Sequence, residues 1–183
     1  IDYSLLYSLL FFSILMNVFL FRDVMLLDKI TFFKSKRYLC VIFYTISGFI
    51  FLTLIPNIGS TFQPKLVLGI FILTWTNDTF AYLIGKKFGK RKLKEKISPK
   101  KTIEGFIGGL LAALIGGVII FNTTLLYSPP FWLLLALLVS VLGTTGDLIQ
   151  SKFKRLAGVK DSGRIMPGHG GVYDRLDSII FAS

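Results

Sequence analysis

Four aspartates stand where an apolar chain has little reason to keep them. Asp78 lies in WTNDTFAYLIG, Asp147 stands at the end of an apolar segment in GTTGDLIQS, and Asp174 and Asp177 share YDRLDS. Each sits inside or against a run of apolar residues. A carboxylate at membrane depth costs a few kcal/mol, so each is a candidate for a polar site. The bland alternative is a helix-end residue reaching back to water or, for Asp177, an Asp–Arg pair that serves structure. All four fall on the side of the chain that carries its Lys and Arg. Carboxylates close together among basic groups suit a divalent cation bound to a polyphosphate. Mg²⁺ takes one or two carboxylates and keeps phosphate oxygens and water as its other ligands, while Lys and Arg hold the remaining phosphate charge. Asp174 and Asp177, three apart, project from one helical face. Asp147 meets them only if the segment between folds back.

That segment supplies further groups. PGHGG, Pro167 to Gly171, allows positive φ at its glycines and exposes consecutive N–H groups, a nest that suits phosphate. A helix follows it, and a helix N-terminus adds to anion binding. His169 is the only histidine; inside a glycine turn it reads as a hydrogen-bonding brace rather than a general base. Cys40 is the only cysteine, which excludes an internal disulfide and a thiolate metal cluster, and reads as an apolar filler.

The elements that must position these groups are membrane helices. Of 183 residues, 53% are hydrophobic, and the mean hydropathy is +0.68, which points to lipid as solvent. Five long apolar runs predict spanning helices: Tyr3–Phe21, Tyr38–Ile55, Leu66–Ile84, Phe106–Leu126 and Pro130–Leu148. A sixth begins at Leu176 and stops at Ser183; with Ile rather than Met in first place, the sequence is expected to be a fragment. No cleavable signal peptide, internal repeat or soluble domain is evident. The expected fold is all-α: one membrane-embedded domain over 1–183, a helical bundle of about six transmembrane helices, with N-terminal helices in 1–60 and catalytic helices and loops in 66–183. The first two helices, rich in Phe and Leu, read as lipid-facing. Gly105, Gly109, Ala113 and Gly117 recur every four residues and predict close packing of another helix.

Charge gives the orientation. The net charge is +11, and 20 of the 21 Lys and Arg lie in Arg22–Arg37, Lys86–Lys101 and Lys152–Arg175. These segments share one side if the five helices alternate, so they are expected in the cytoplasm with the N-terminus outside. The connections at Pro56–Pro64 and around Asn122–Pro129 carry no charge. In a soluble protein such a surplus would suggest nucleic acid; here it reads as topology plus attraction to anionic lipid heads, and no nucleic-acid partner is expected. Pro99 stands near a helix start in ISPKKTIEG, and Glu104 in the first turn suits the positive end of the helix dipole.

SKFKRLAGVKDSGRIMPGHGGVYDRLD, Ser151 to Asp177, resembles the signature of the phosphatidate cytidylyltransferases (CDP-diacylglycerol synthases). The pattern is Ser, any residue, an apolar residue, Lys-Arg, four residues and Lys-Asp, then Pro, any, His-Gly-Gly, apolar, any, Asp-Arg, apolar, Asp; every fixed element is present. WTNDTFAYLIGKKFGKRKL and ISPKKTIEGFIGG are similar to earlier motifs of that family, so the likeness runs from about Leu66 to the end. Members usually carry more N-terminal helices and a complete final one.

The resemblance implies that CTP and phosphatidic acid give CDP-diacylglycerol and pyrophosphate with Mg²⁺, and with a possible second, monovalent cation. It implies a homodimer in a bacterial inner membrane, with the site facing the cytoplasm. It implies Asp147 and Asp174 as metal ligands, with Asp78 beside Asn77, and Asp177, as further candidates. Lys101, Lys154, Arg155, Lys160 and Arg175 would hold phosphates; Lys101, Arg155 and Arg175 join the two ligands as the catalytic set. Ser98, Thr102 and Glu104 would be polar positioning residues, Gly168, Gly170 and Gly171 backbone donors, and His169 a brace against substrate. Rival readings are a CTP-dependent lipid-alcohol kinase and a non-enzymatic transporter or scaffold; the transporter would want mid-membrane acids and inverted repeats. A CDP-alcohol phosphotransferase would need an Asp-Gly pair, and none occurs.

Overall fold

The computed structural model describes residues 3–26, 37–57, 61–159, 162–163 and 176–182. Five helices in it are long and apolar enough to cross a membrane. They are α1 (Tyr3–Met25), α2 (Tyr38–Asn57), α3 (Pro64–Phe88), α4 (Ile103–Thr124) and α5 (Pro129–Leu156). A short α6 (Asp177–Ala182) starts where the sixth span was expected. The molecule is an all-α polytopic membrane protein. Its small sheet is one antiparallel hairpin, β1 (Lys92–Lys94) and β2 (Ser98–Thr102).

Local chemistry explains the helix starts. Proline stands in the first turn of α3 and of α5, where its missing N–H costs nothing and its φ is already helical. Thr102 caps α4: its Oγ1 accepts from the Gly105 N–H at 3.1 Å. Three helices outrun their apolar runs by four residues or more: α1 ends at Met25 rather than Phe21, α3 at Phe88 rather than Ile84, and α5 at Leu156 rather than Leu148. Hydropathy marks only the part of a helix in lipid; α5, with 28 residues, is about 42 Å long against a hydrocarbon layer of about 30 Å. Its last turns carry SKFKRL out of the apolar zone.

Two cores lie at different depths. At the uncharged end, Leu66, Ile70 and Leu73 of α3 meet Ala113 and Ile120 of α4 and Trp132, Ala136 and Val139 of α5. At the basic end, Met16, Leu20 and Val24 of α1 meet Cys40 and Tyr44 of α2, Leu148 and Ile149 of α5, and Ile180 and Phe181 of α6. Cys40 is thus the buried filler expected of it. α5 belongs to both cores, and half of its apolar window is buried against 17% for α1, so it is the central helix. The two N-terminal helices do expose much of their surface, but they also supply much of the core at the basic end.

The small-residue ladder of α4 packs inside the chain. A Cβ on Gly105 would stand 2.6 Å from the Ala81 carbonyl, and one on Gly109 2.6 Å from that of Asn77. Gly117 lies against the Trp132 backbone of α5. α3 and α4 therefore touch backbone to backbone near the acidic residues.

Candidate active site

The site grows from the ends of three elements. Asp78 lies ten residues before the last of α3, and Asp147 nine before the last of α5. At 1.5 Å per residue, both carboxylates sit roughly 14 Å inside the basic ends of their helices. β2 ends at Thr102 and brings Lys101 between them. Lys101 Nζ is ion-paired to Asp147 Oδ2, with the two side chains 26% and 30% exposed. The charges of both Asp147 and Lys101 act on Asp78. These three residues, far apart in sequence, form one partly open charged cluster.

Asn77 orients its neighbour. Its Nδ2 donates to Asp78 Oδ1 at 3.2 Å, while its buried Oδ1 has no hydrogen-bond partner. That oxygen faces the glycine seam of α4, where a Cβ on Gly109 would stand 2.9 Å from it. Ser151 lies one turn beyond Asp147, its hydroxyl 3.5 Å from Asp147 Oδ1, a long contact. Gln150 is buried, with its Nε2 lacking a partner. Neither Ser151 nor Gln150 was assigned a role from the sequence, although spacings of three and four from Asp147 put them on its side of a helix.

The neck of α4 is built as a brace. Thr102 caps the helix. Glu104 was expected to serve the helix dipole, but its carboxylate also accepts from the backbone N–H groups of Lys90 at 3.0 Å and Arg91 at 3.2 Å. It thereby ties the chain leaving α3 to the start of α4. Ser98 lies at the turn end of β2, paired across to Lys94. Lys154 and Arg155 occupy the last turn of α5. Lys154 lies seven residues from Asp147, on its stripe and about 10 Å along the axis. Arg155 is exposed.

Lys160, Gly168, His169, Gly170, Gly171, Asp174 and Arg175 lie outside the described residues. Asp177 opens α6, and its side chain is not described. Among the described residues, no three carboxylates, histidines or cysteines converge. Two carboxylates, Asp78 and Asp147, do share the cluster. Oxygen donors alone, with waters and phosphate completing the shell, fit a hard cation such as Mg²⁺. The lysine on Asp147 supplies the positive charge that phosphates attract.

Residues 3–183 match the model of the cytidylyltransferase family. A protein of Staphylococcus aureus (strain COL) named phosphatidate cytidylyltransferase is 52% identical over 121 residues, which are 63% of this chain and 45% of that protein. One of the same name from Staphylococcus haemolyticus is 49% identical over 122 residues, again 63% and 45%. A third, from Staphylococcus saprophyticus, is 42% identical over 161 residues, 84% of this chain and 58% of its own length. The chain thus spans about half the length of the relatives it matches. The match covers the N-terminal helices as well as the cluster of Asp78, Lys101 and Asp147, and the chain belongs to the cytidylyltransferase family.

Proposed function

We propose that this chain is the membrane-embedded catalytic part of an enzyme that transfers the cytidylyl group of CTP to phosphatidic acid, giving CDP-diacylglycerol and pyrophosphate. The observation that carries this reading is the Lys101–Asp147 pair with Asp78 in range, recessed at the basic end of a helix bundle. A lipid substrate and a water-soluble nucleotide can meet only at such a boundary. The names of the relatives support the same reaction.

In that reaction an oxygen of the lipid phosphate forms a bond to the α-phosphorus of CTP. The bond from that phosphorus to the bridging oxygen breaks, and pyrophosphate leaves with the electron pair. The nucleophile is already an anion near neutral pH, so positioning and charge neutralisation suffice. Asp147 and Asp174 would hold Mg²⁺, with Asp78, Asn77 and Asp177 around it; the ion supplies neutralisation of phosphate charge. A monovalent cation would share the site. Lys101, Lys154, Arg155, Lys160 and Arg175 would bind phosphates, and Gly168, Gly170 and Gly171 would offer N–H groups, with His169 as brace. Ser98, Thr102 and Glu104 set the neck. The apolar helices and the bacterial relatives support a bacterial membrane protein, and the positive-inside rule supports a site on its cytoplasmic side, which in a bacterium is the inner membrane. The homodimer rests on the family resemblance alone, because the α4 glycines are taken up by α3 and α5.

Membranes carrying the full-length protein, given cytidine-labelled CTP and phosphatidic acid, should place label in lipid and release pyrophosphate. Label that stays as soluble CDP would instead mark a lipid-alcohol kinase, and no lipid label with both substrates present overturns the proposal.

A further inference from the structure

We propose that the Lys92–Thr102 hairpin is a lever anchored in the N-terminal helices, with Ile97 and Lys94 as positioning residues that hold Lys101 against Asp147. This rests on the proposed cytidylyl transfer, in which Lys101 meets phosphate.

An isolated two-stranded hairpin is marginal in water, and half of the strand residues of this one are lysine. Something must hold it. Its turn closes through the Ile97 N–H to the Lys94 carbonyl at 3.2 Å. The turn then inserts Ile97, 1% exposed, into the core that α1, α2, α5 and α6 build at the basic end. Leu93 packs against the same core. Lys94 Nζ donates to the Met25 carbonyl at 2.7 Å. Met25 is the last residue of α1, where orphan carbonyls and the dipole favour a cation. The other end of the hairpin is fixed by Thr102 and Glu104.

Between these two fixed ends the ladder is irregular. Lys92 faces Thr102 and Lys94 faces Ser98, so Leu93 alone opposes Pro99, Lys100 and Lys101. Pro99 has no N–H to give to the ladder. A bulge of this kind bends its strand and re-aims side chains. Lys101 is on the bulge, and its ammonium reaches Asp147. Held at both ends, the bulge has one aim; released at Ile97, the strand carrying Lys101 can swing. On this account α1 and α2 act on the site without touching it.

The test uses the full-length protein purified in detergent. Ile97→Ala and Lys94→Met are made alone and on a Lys101→Gln background, with Ile97→Leu as the conservative control. Each single variant should lower kcat/KM for CTP by about tenfold per folded molecule, and Ile97→Leu should restore most of it. On the Lys101→Gln background the same changes should cost less than about twofold, because the group they position is gone. Lys94→Met should lose activity with a melting temperature close to that of the parent, whereas Ile97→Ala, which empties a buried position, should melt lower and is read per folded molecule. Should Ile97→Ala fail to fold, Lys94→Met decides alone, since it keeps the stem and removes the ammonium group. Full, additive losses on the Lys101→Gln background overturn the lever and leave the site reading intact. Parental kcat/KM in Lys101→Gln itself overturns the site reading, and the lever with it.

Discussion

The core at the uncharged end and the core at the basic end are built from different parts and leave different freedoms. The first joins α3, α4 and α5 around Trp132, fully buried, whose Nε1 donates to the Leu126 carbonyl at 2.7 Å. Tyr127 stacks on Phe131 beside it, with centroids 4.4 Å apart. The second takes residues from four helices and the hairpin turn, and keeps charge at its edge. Asp23, 1% exposed, pairs there with Arg22 at 2.7 Å. The contrast separates two tasks. One end fixes how three helices cross; the other fixes where a few polar side chains stand.

Mutations should divide along that line. The largest effect on stability belongs to Trp132→Ala, which leaves a cavity among three helices and a carbonyl without its donor. A loss of about 3–5 kcal/mol is expected in unfolding measured in detergent. The kcat/KM of the molecules that remain folded should stay within about twofold of the parent. A large fall in kcat/KM per folded molecule would show that the two ends are not separable.

Gly109→Ala probes the seam between the ends. Its added Cβ meets the Asn77 carbonyl, a backbone atom that cannot swing away. Overpacking costs about 1–3 kcal/mol, and alanine returns up to about 1 kcal/mol in helix propensity, so a net loss of about 1–2 kcal/mol is expected. Because Asn77 orients Asp78, kcat/KM should fall as well, by more than Trp132→Ala lowers it. Equal or smaller loss would remove Asn77 from the site. At the small end stands Lys86→Gln. Lys86 Nζ lies 5.9 Å from the Tyr82 ring centroid on an exposed turn. Activity should change by less than about twofold, and a larger fall would extend the site onto the outer basic surface.

How much of this could be read in advance follows from the physics of each signal. The five spans were legible because lipid demands long apolar runs, and the run itself is the signal. The far ends of α3 and α5 were not, since a helix continues past the membrane on polar residues that no hydropathy pattern marks. The Gly105–Gly117 ladder gave close packing correctly, while its partners, α3 and Trp132, needed the fold. The hairpin was illegible: KLK and SPKKT show no alternation, and what holds them is Ile97 in a distant core and Glu104 on the Lys90 and Arg91 amides. Asp147 and Asp78 stood out by their cost in an apolar setting, and the fold brings them near each other. The pairing of Asp147 with Lys101 spans 46 positions, which no local spacing encodes. Asp23 carried the same signal as Asp78, an acid near the end of an apolar helix, and its neighbour Arg22 masked it.

In the proposed reaction Asp147 is the carboxylate around which a cation, Lys101 and the phosphates would assemble. The direct measurement is cytidylyl transfer by Asp147→Asn in the full-length protein, per folded and membrane-inserted molecule, at saturating CTP, phosphatidic acid and Mg²⁺. Asparagine keeps the shape and part of the hydrogen bonding but removes the charge. Loss of a catalytic cation contact is worth several kcal/mol of transition-state stabilisation, so the rate should fall by about a thousandfold. A fall of less than about tenfold would contradict the account and leave the Lys101–Asp147 pair as structure alone.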